Sequence, residues 1–414
     1  MFFEVVLSYL SYFLTIIILN IIDFRRFKTI VNPFFLLSLP FTIVLVSCIL
    51  FNSTLNFIPF YAPSLWVWTF GLILFWLSSL LVVKMNFIKN IGKQKDKVVA
   101  IEQNLYSSVN SSWIFSFAVI LCIAICIVKF NHTHPGVEVG SKEMGEEMGS
   151  GGLVGRASNI ILMAIPFYFG YRSPFIIKSV LIFLLMFFVV SLGTKTWLTY
   201  SIIACFMIYI QQHRLNFKLI AVVFLILTGS FMLYYKINTS IDDSNHFFTF
   251  IGRHLYFYIT SGILPLGEYI KNSSFEFTND ISLPFIRLIY YWMGDNVSFH
   301  SNYWVTTDLI LGTESNVYTL FGTIFRSGLD DYILYSLITG FLSYLSFFIF
   351  RKTKSIFAAI SWGYTAAVLF FGWYNWGLSS LRIWEIYVYC IFFYFLCRIK
   401  TISIIVQNTN HPIR

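Results

Sequence analysis

The sequence predicts an all-α polytopic membrane protein with about eleven transmembrane helices and one large extracytoplasmic loop between the eighth and ninth. Three observations predict it. Apolar runs close to the ~20 residues needed to cross a hydrocarbon core recur along the 414-residue chain. Charged residues make up only 11% of it, against roughly a quarter in soluble domains. Aromatics reach 20%, with 47 Phe, a composition suited to lipid-facing surfaces and interfacial belts. A β-barrel would instead show alternating segments of about ten residues, and none is present. The net charge of +9 would point to nucleic acid in a soluble chain. Here it is assigned to cytoplasmic loops, and no nucleic-acid partner is expected.

The whole chain, 1–414, reads as one integral membrane domain. A first span over residues 2–22 stops at the basic cluster Asp23 to Lys28, which should stay cytoplasmic and sets the N-terminus outside. The second span, 33–51, and the third, 64–83, are joined by an uncharged turn with Pro59 and Pro63. Lys84, Lys89, Lys93, Lys95 and Lys97 then form the most basic loop, read as a topology anchor. The fourth span, 113–129, leads to residues 130–156, a flexible external loop rich in glycine and glutamate. Its His132 and His134 are a weak metal signal. The fifth span, 157–171, turns at Arg172 and Lys178 into a sixth ending near residue 192. A GTKT hairpin, Gly193 to Thr196, precedes the seventh span, 197–211, and the eighth covers 219–235. The large loop is 236–327. The ninth span, 332–350, ends at Arg351 to Lys354. The tenth, 356–373, and the eleventh, 383–396, flank an external turn with Arg382, leaving the C-terminus inside. The six cysteines all lie in apolar runs and read as small core residues.

Candidate chemistry gathers outside these spans. Lys195 sits in a four-residue hairpin, where a lysine either snorkels to the head groups or meets an anion such as pyrophosphate. Residues 246–270, aromatic-rich with Gly262 and Pro265, read as an interfacial helix followed by a break. Arg253 and Arg287 are external arginines with no topological reason to be there, and guanidinium forks suit phosphate oxygens. Asn316, Tyr318 and Thr319 supply sugar-type hydrogen-bond groups. Arg326 and the pair Asp330 and Asp331 stand at the entrance to the ninth span. If that segment is helical, Arg326 and Asp330 are four residues apart and can pair. One outcome is simple charge neutralisation; the other has Arg326 hold a phosphate while an acid orients a hydroxyl.

The run Asn316 to Thr319, then Arg326, then Asp330 or Asp331 opening a span resembles the Wzy-type oligosaccharide repeat-unit polymerases of bacterial surface polysaccharides. The GTKT hairpin is similar to that family's small-residue-plus-basic turn, with Lys195 where arginine is usual. Arg253 followed by Tyr256, Tyr258 and Gly262 is similar to the stretch after the family's central spans. The resemblance implies an inverting membrane glycosyltransferase of the bacterial cytoplasmic membrane. Its donor would be a nascent glycan on undecaprenyl pyrophosphate, and its acceptor a single lipid-linked repeat, with a chain-length regulator as a further partner. A lipid pyrophosphate leaving group calls for cations where negative charge develops: Arg326, Arg253, Arg287 and Lys195. The general base stays open among Glu314, Asp330, Asp331 and His300. Glu314 and Ser315, where related O-antigen ligases carry histidine, favour polymerase over ligase. No DxD-type motif stands in the external segments, so no metal or other cofactor is expected. The rival class is a flippase or other transporter of lipid-linked oligosaccharide, which would hold its charges within spans.

Overall fold

The computed structural model describes residues 2–84, 109–133, 152–170, 175–191, 195–212, 225, 229, 244–271, 293, 307–310, 313–315, 318–353 and 355–409. Arg287, His300 and Asn316 lie outside the described residues, as do the basic loop beyond Lys84, most of the acidic glycine-rich stretch and most of the eighth predicted span.

Helices dominate. In chain order they are α1 (Phe2–Phe27), α2 (Pro33–Phe51), α3 (Leu65–Val82), α4 (Val109–Thr133), α5 (Gly152–Gly170), α6 (Phe175–Ser191), α7 (Lys195–Gln212), α8 (Ser244–Thr260), α9 (Ile263–Lys271), α10 (Leu320–Phe325), α11 (Leu329–Thr353), α12 (Ile356–Phe370) and α13 (Leu381–Thr409). The all-α expectation has one exception. Strands β1 (Thr307–Ile310) and β2 (Thr313–Ser315) form a small antiparallel hairpin that places Asp308 opposite Glu314. Among the described residues, six helical segments are long and apolar enough to cross a membrane: Phe3–Phe27, Pro33–Phe51, Ala62–Val82, Gly152–Gly170, Leu329–Thr353 and Ile356–Trp373. They coincide with the predicted first, second, third, fifth, ninth and tenth spans. Three shorter apolar helices, Trp113–Lys129, Ile176–Val189 and Trp197–Ile210, stand at the fourth, sixth and seventh. The eleventh lies inside α13.

Local chemistry explains the ends. Asn32 caps α2, its Oδ1 accepting from the Phe35 N–H at 2.9 Å, with Pro33 at the first helical position. Lys28, with φ of 55°, stops α1. Gly328, with φ of 132°, separates α10 from α11. The first turn of α11 then carries Asp330 and Asp331, and its last turn Arg351 and Lys352, each suited to the helix dipole. α1 exposes Leu7, Leu10, Leu14, Ile17, Ile18 and Ile21, an apolar stripe that suits hydrocarbon rather than water.

The described residues divide into two compact units. The first comprises Met1–Ile88, Asn216–Phe347 and Val368–Ser380. Its core is aromatic: Trp68 stacks on Phe41 at 3.5 Å and meets the edge of Phe321 at 4.9 Å. A Cβ on Gly71 would come within 2.4 Å of the Phe321 ring, so only glycine lets α3 approach α10 this closely. The Tyr332 hydroxyl donates to the Val67 carbonyl, tying α11 to α3. The second unit comprises Lys89–Leu215, Phe348–Ala367 and Leu381–Arg414. Its core gathers Phe115, Phe167, Phe357 and Phe393, with Phe115 meeting Phe393 edge-on at 4.9 Å. Ser201 and Tyr364 share a buried hydrogen bond of 2.7 Å.

Two expectations change. The cluster beginning at Asp23 does not stop the first helix. α1 continues to Phe27, and the fully buried Asp23 accepts from Trp76 Nε1 at 2.9 Å and from the Tyr344 hydroxyl at 2.5 Å. Arg26 donates to Ser79 at 2.9 Å. These partners meet the carboxylate's need for hydrogen bonds, so it is built into the helix packing. The described ends of 236–327 are helical, with α8 and α9 meeting at a break as read over residues 246–270, and residues 318–324 are buried. Second, Arg326 and Asp330 do not share a helix, because Gly328 stands between α10 and α11.

Candidate functional site

In the first unit, spanning helices meet backbone that is not spanning helix. Three such segments pack on one another: the break between α8 and α9, the run from Tyr318 to Gly328, and the paired 3₁₀ turns Phe371–Trp373 and Gly377–Ser379. Irregular backbone among spanning helices is tolerated only where protein or a polar cavity satisfies it. Gly262 forms the joint. Its carbonyl accepts from the Thr319 N–H at 3.2 Å. A Cβ there would fall 2.4 Å from the Trp373 carbonyl oxygen and 2.9 Å from that of Tyr374.

Thr319 holds the next segment. Its Oγ1 accepts from the Gly322 N–H at 3.1 Å, capping α10, and from Trp68 Nε1 at 2.9 Å. Thr323 donates to the Tyr318 carbonyl at 3.0 Å. Tyr318 therefore sits at a backbone position fixed from both sides. Arg326 is the C-cap of α10 and only 4% exposed. Its guanidinium lies 4.2 Å from the Tyr318 ring centre and 5.4 Å from that of Tyr269 on α9. Ring faces attract a desolvated cation by about 2 kcal/mol. They also orient a planar group whose N–H donors point along its edges. A buried guanidinium held this way is suited to accepting a phosphate edge-on.

The remaining predicted residues divide. Tyr318, Thr319 and Arg326 are brought together. Arg253 is exposed on α8. Asp330 is exposed and Asp331 half-buried in the first turn of α11, where their charges complement the helix dipole. Glu314 is in β2. Lys195 is the first residue of α7, at the end of the short connection that follows α6, and belongs to the second unit. Nearby, Tyr256 donates to Asn52 Oδ1 at 2.6 Å, so this aromatic packs on the end of α2 rather than facing lipid. Burial lowers the pKa of His254, leaving its imidazole neutral at pH 7. Burial, with Tyr258 adding to it, pushes the Tyr374 hydroxyl up to about 12, so it stays protonated.

Sequence reasoning marked Gly262 but missed Tyr269, Trp68, Gly71 and Gly328. Tyr269 had a signal, since it follows Glu268 in a segment already singled out. Trp68 had none, because a tryptophan in an apolar span reads as wall.

No curated protein and no solved structure matches the chain. Residues 56–403 match the family of unknown function DUF6337, a stretch that contains α3, the Arg326 cradle and most of α13; the chain belongs to that family.

Proposed function

We propose that this chain is a membrane glycosyltransferase that joins lipid-linked oligosaccharide repeat units into a surface polysaccharide, on the outer face of the cytoplasmic membrane. The observation that carries the proposal is the Arg326 cradle: a buried cation, oriented by Tyr318 and Tyr269, on broken backbone among membrane-length helices. Transfer from a lipid pyrophosphate develops negative charge on the leaving group, and a fixed desolvated guanidinium stabilises it without reorganising. Tyr318 and Thr319 lie beside it; Arg253, Arg287 and Asn316 are proposed as further substrate contacts. The base is proposed among Glu314, Asp330, Asp331 and His300, and no divalent cation is invoked. The test is a surface-glycan gel from a deletion strain complemented with the native chain or with Arg326→Ala. A ladder restored only by the native chain supports the proposal; a ladder from both removes Arg326 from the site. Loss of transfer by purified protein on adding chelator would end the metal-free version.

A second reading, a transporter of lipid-linked oligosaccharide, is favoured by one observation. Carboxylates stand inside membrane-length or apolar helices at Asp23 and Glu385. On the same gel a transporter would lose even the single repeat unit, whereas a polymerase would leave it.

A further inference from the structure

One end of the first unit carries a cation that the Arg326 chemistry does not use. α1 and α3 pack side by side in a single register: Trp76 donates to Asp23 and Arg26 donates to Ser79, each pair 53 positions apart. The two helices therefore run parallel and end within about a turn of each other. Arg26 is half-buried at that end. Its Nη1 donates to Ser79 Oγ at 2.9 Å, and its guanidinium lies 5.5 Å from the Trp76 ring centre and 5.8 Å from that of Phe27. A guanidinium carries several N–H donors in one plane. Here Ser79 takes one of them and the two rings hold the plane. Asp23 is turned to Trp76 and Tyr344 and attracts Arg26 only through space.

Two observations say what meets this cation. The first is its level in the bilayer. Leu10, Leu14, Ile17, Ile21 and Phe24 recur at helical spacing and are all exposed, so they form one lipid-facing stripe along α1. The same spacing continues into Arg25 and Lys28, both exposed. Hydrocarbon contact gives way to charge at the end of α1, which is head-group level. The second is charge. Between Asn20 and Ile30 three cations stand against one acid, Asp23, whose carboxylate is fully buried. An anion arriving at that depth is a lipid phosphate, and anionic lipids are drawn to basic clusters beside a span.

We infer that the end of α1 is a docking site for the head group of an anionic phospholipid. The phosphate lies edge-on to the Arg26 guanidinium, Arg25 and Lys28 add positive potential, and an acyl chain follows the exposed stripe of α1. In a general basic collar every cation snorkels to the head groups and each counts alike. Here Arg26, of the three, is the one held in place by Ser79 and two rings. The site does not depend on Arg326 or on glycan transfer.

The test uses purified full-length protein in a non-ionic detergent and reads affinity from the rise in thermal unfolding midpoint as a probe is added. The probes are phosphatidylglycerol, phosphatidylcholine and inorganic phosphate. Phosphatidylglycerol is expected to bind the native chain more tightly than either of the others. Arg26→Gln should lower its affinity about tenfold, the loss of one charge-assisted contact, and Arg25→Gln should lower it less. Ser79→Ala keeps the cation and removes only its anchor, so it should weaken phosphatidylglycerol binding at unchanged net charge. That variant decides the matter if Arg26→Gln fails to fold. Equal affinity for the two lipids, equal losses from Arg25→Gln and Arg26→Gln, native affinity in Ser79→Ala, or inorganic phosphate binding as tightly as phosphatidylglycerol overturns the proposal.

Discussion

The two units hold a polar group in opposite ways. In the first, Arg326 sits where helices break, between the short α10 and Gly328, and aromatic faces hold it. In the second, Glu385 sits on the continuous helix α13 and is held by side chains of α5, Asn159 and Arg156. Broken backbone fixes a side chain through main-chain contacts, which substitution of neighbouring side chains alters little. Side-chain partners on regular helices can be exchanged one at a time. The first arrangement suits a group whose direction must not vary; the second leaves each partner's share open to separate substitution.

The largest effect should come from Arg326. Arg326→Ala is expected to lower polymer yield by about a hundredfold or more at normal protein level, as for loss of a preorganised charge stabiliser. Arg326→Lys should not restore it, because an ammonium lacks the planar face that Tyr318 and Tyr269 hold. A full ladder from the lysine variant would show that charge alone suffices and would erase the contrast between the units.

Next come the glycines. Gly262→Ala drives a methyl into two backbone carbonyls and should cost about 1–3 kcal/mol, read as an earlier thermal transition in detergent. Gly363→Ala in the second unit meets the methyl and the carbonyl oxygen of Ala204, both at 3.0 Å, a looser clash that should shift the transition less. The reverse order would mean that the break at Gly262 is the more pliable site. Thr319→Val removes both the α10 cap and the acceptor for Trp68, at a cost of about 1–2 kcal/mol, while Thr319→Ser should keep most of it. The smallest effect is expected from Asp330→Asn, about 0.3–1 kcal/mol from the helix dipole. If polymer vanishes in that variant while protein level holds, Asp330 belongs to the chemistry and the base is narrowed to it.

Much of the fold was legible because membrane-length apolar runs carry their own signal, and six of the predicted spans appear as helices of that kind. Arg326, Tyr318 and Thr319 were legible because polar residues at the mouth of a span need a reason. The partners were not. Trp68 and Thr319 are 251 positions apart, and no periodicity in either segment encodes the other. Asp23 looked like part of a cytoplasmic stop because three basic residues follow it closely. Its role is set instead by Trp76 and Tyr344, which lie in other helices. Asn159 and Glu385 went unnoticed for the same reason: they are 226 positions apart, and only packing pairs them.

The Trp68 to Thr319 bond also fixes an order of events during synthesis. Trp68 enters the growing chain 251 residues before its acceptor. At roughly 5–20 residues per second that is about 10–50 seconds of waiting. Over that interval the indole N–H of α3 has no Thr319 to meet. Docking of α10 on α3 is therefore a late event in biogenesis, and a ribosome stalled before Thr319 would release a chain whose earlier helices are inserted but whose cradle has not assembled.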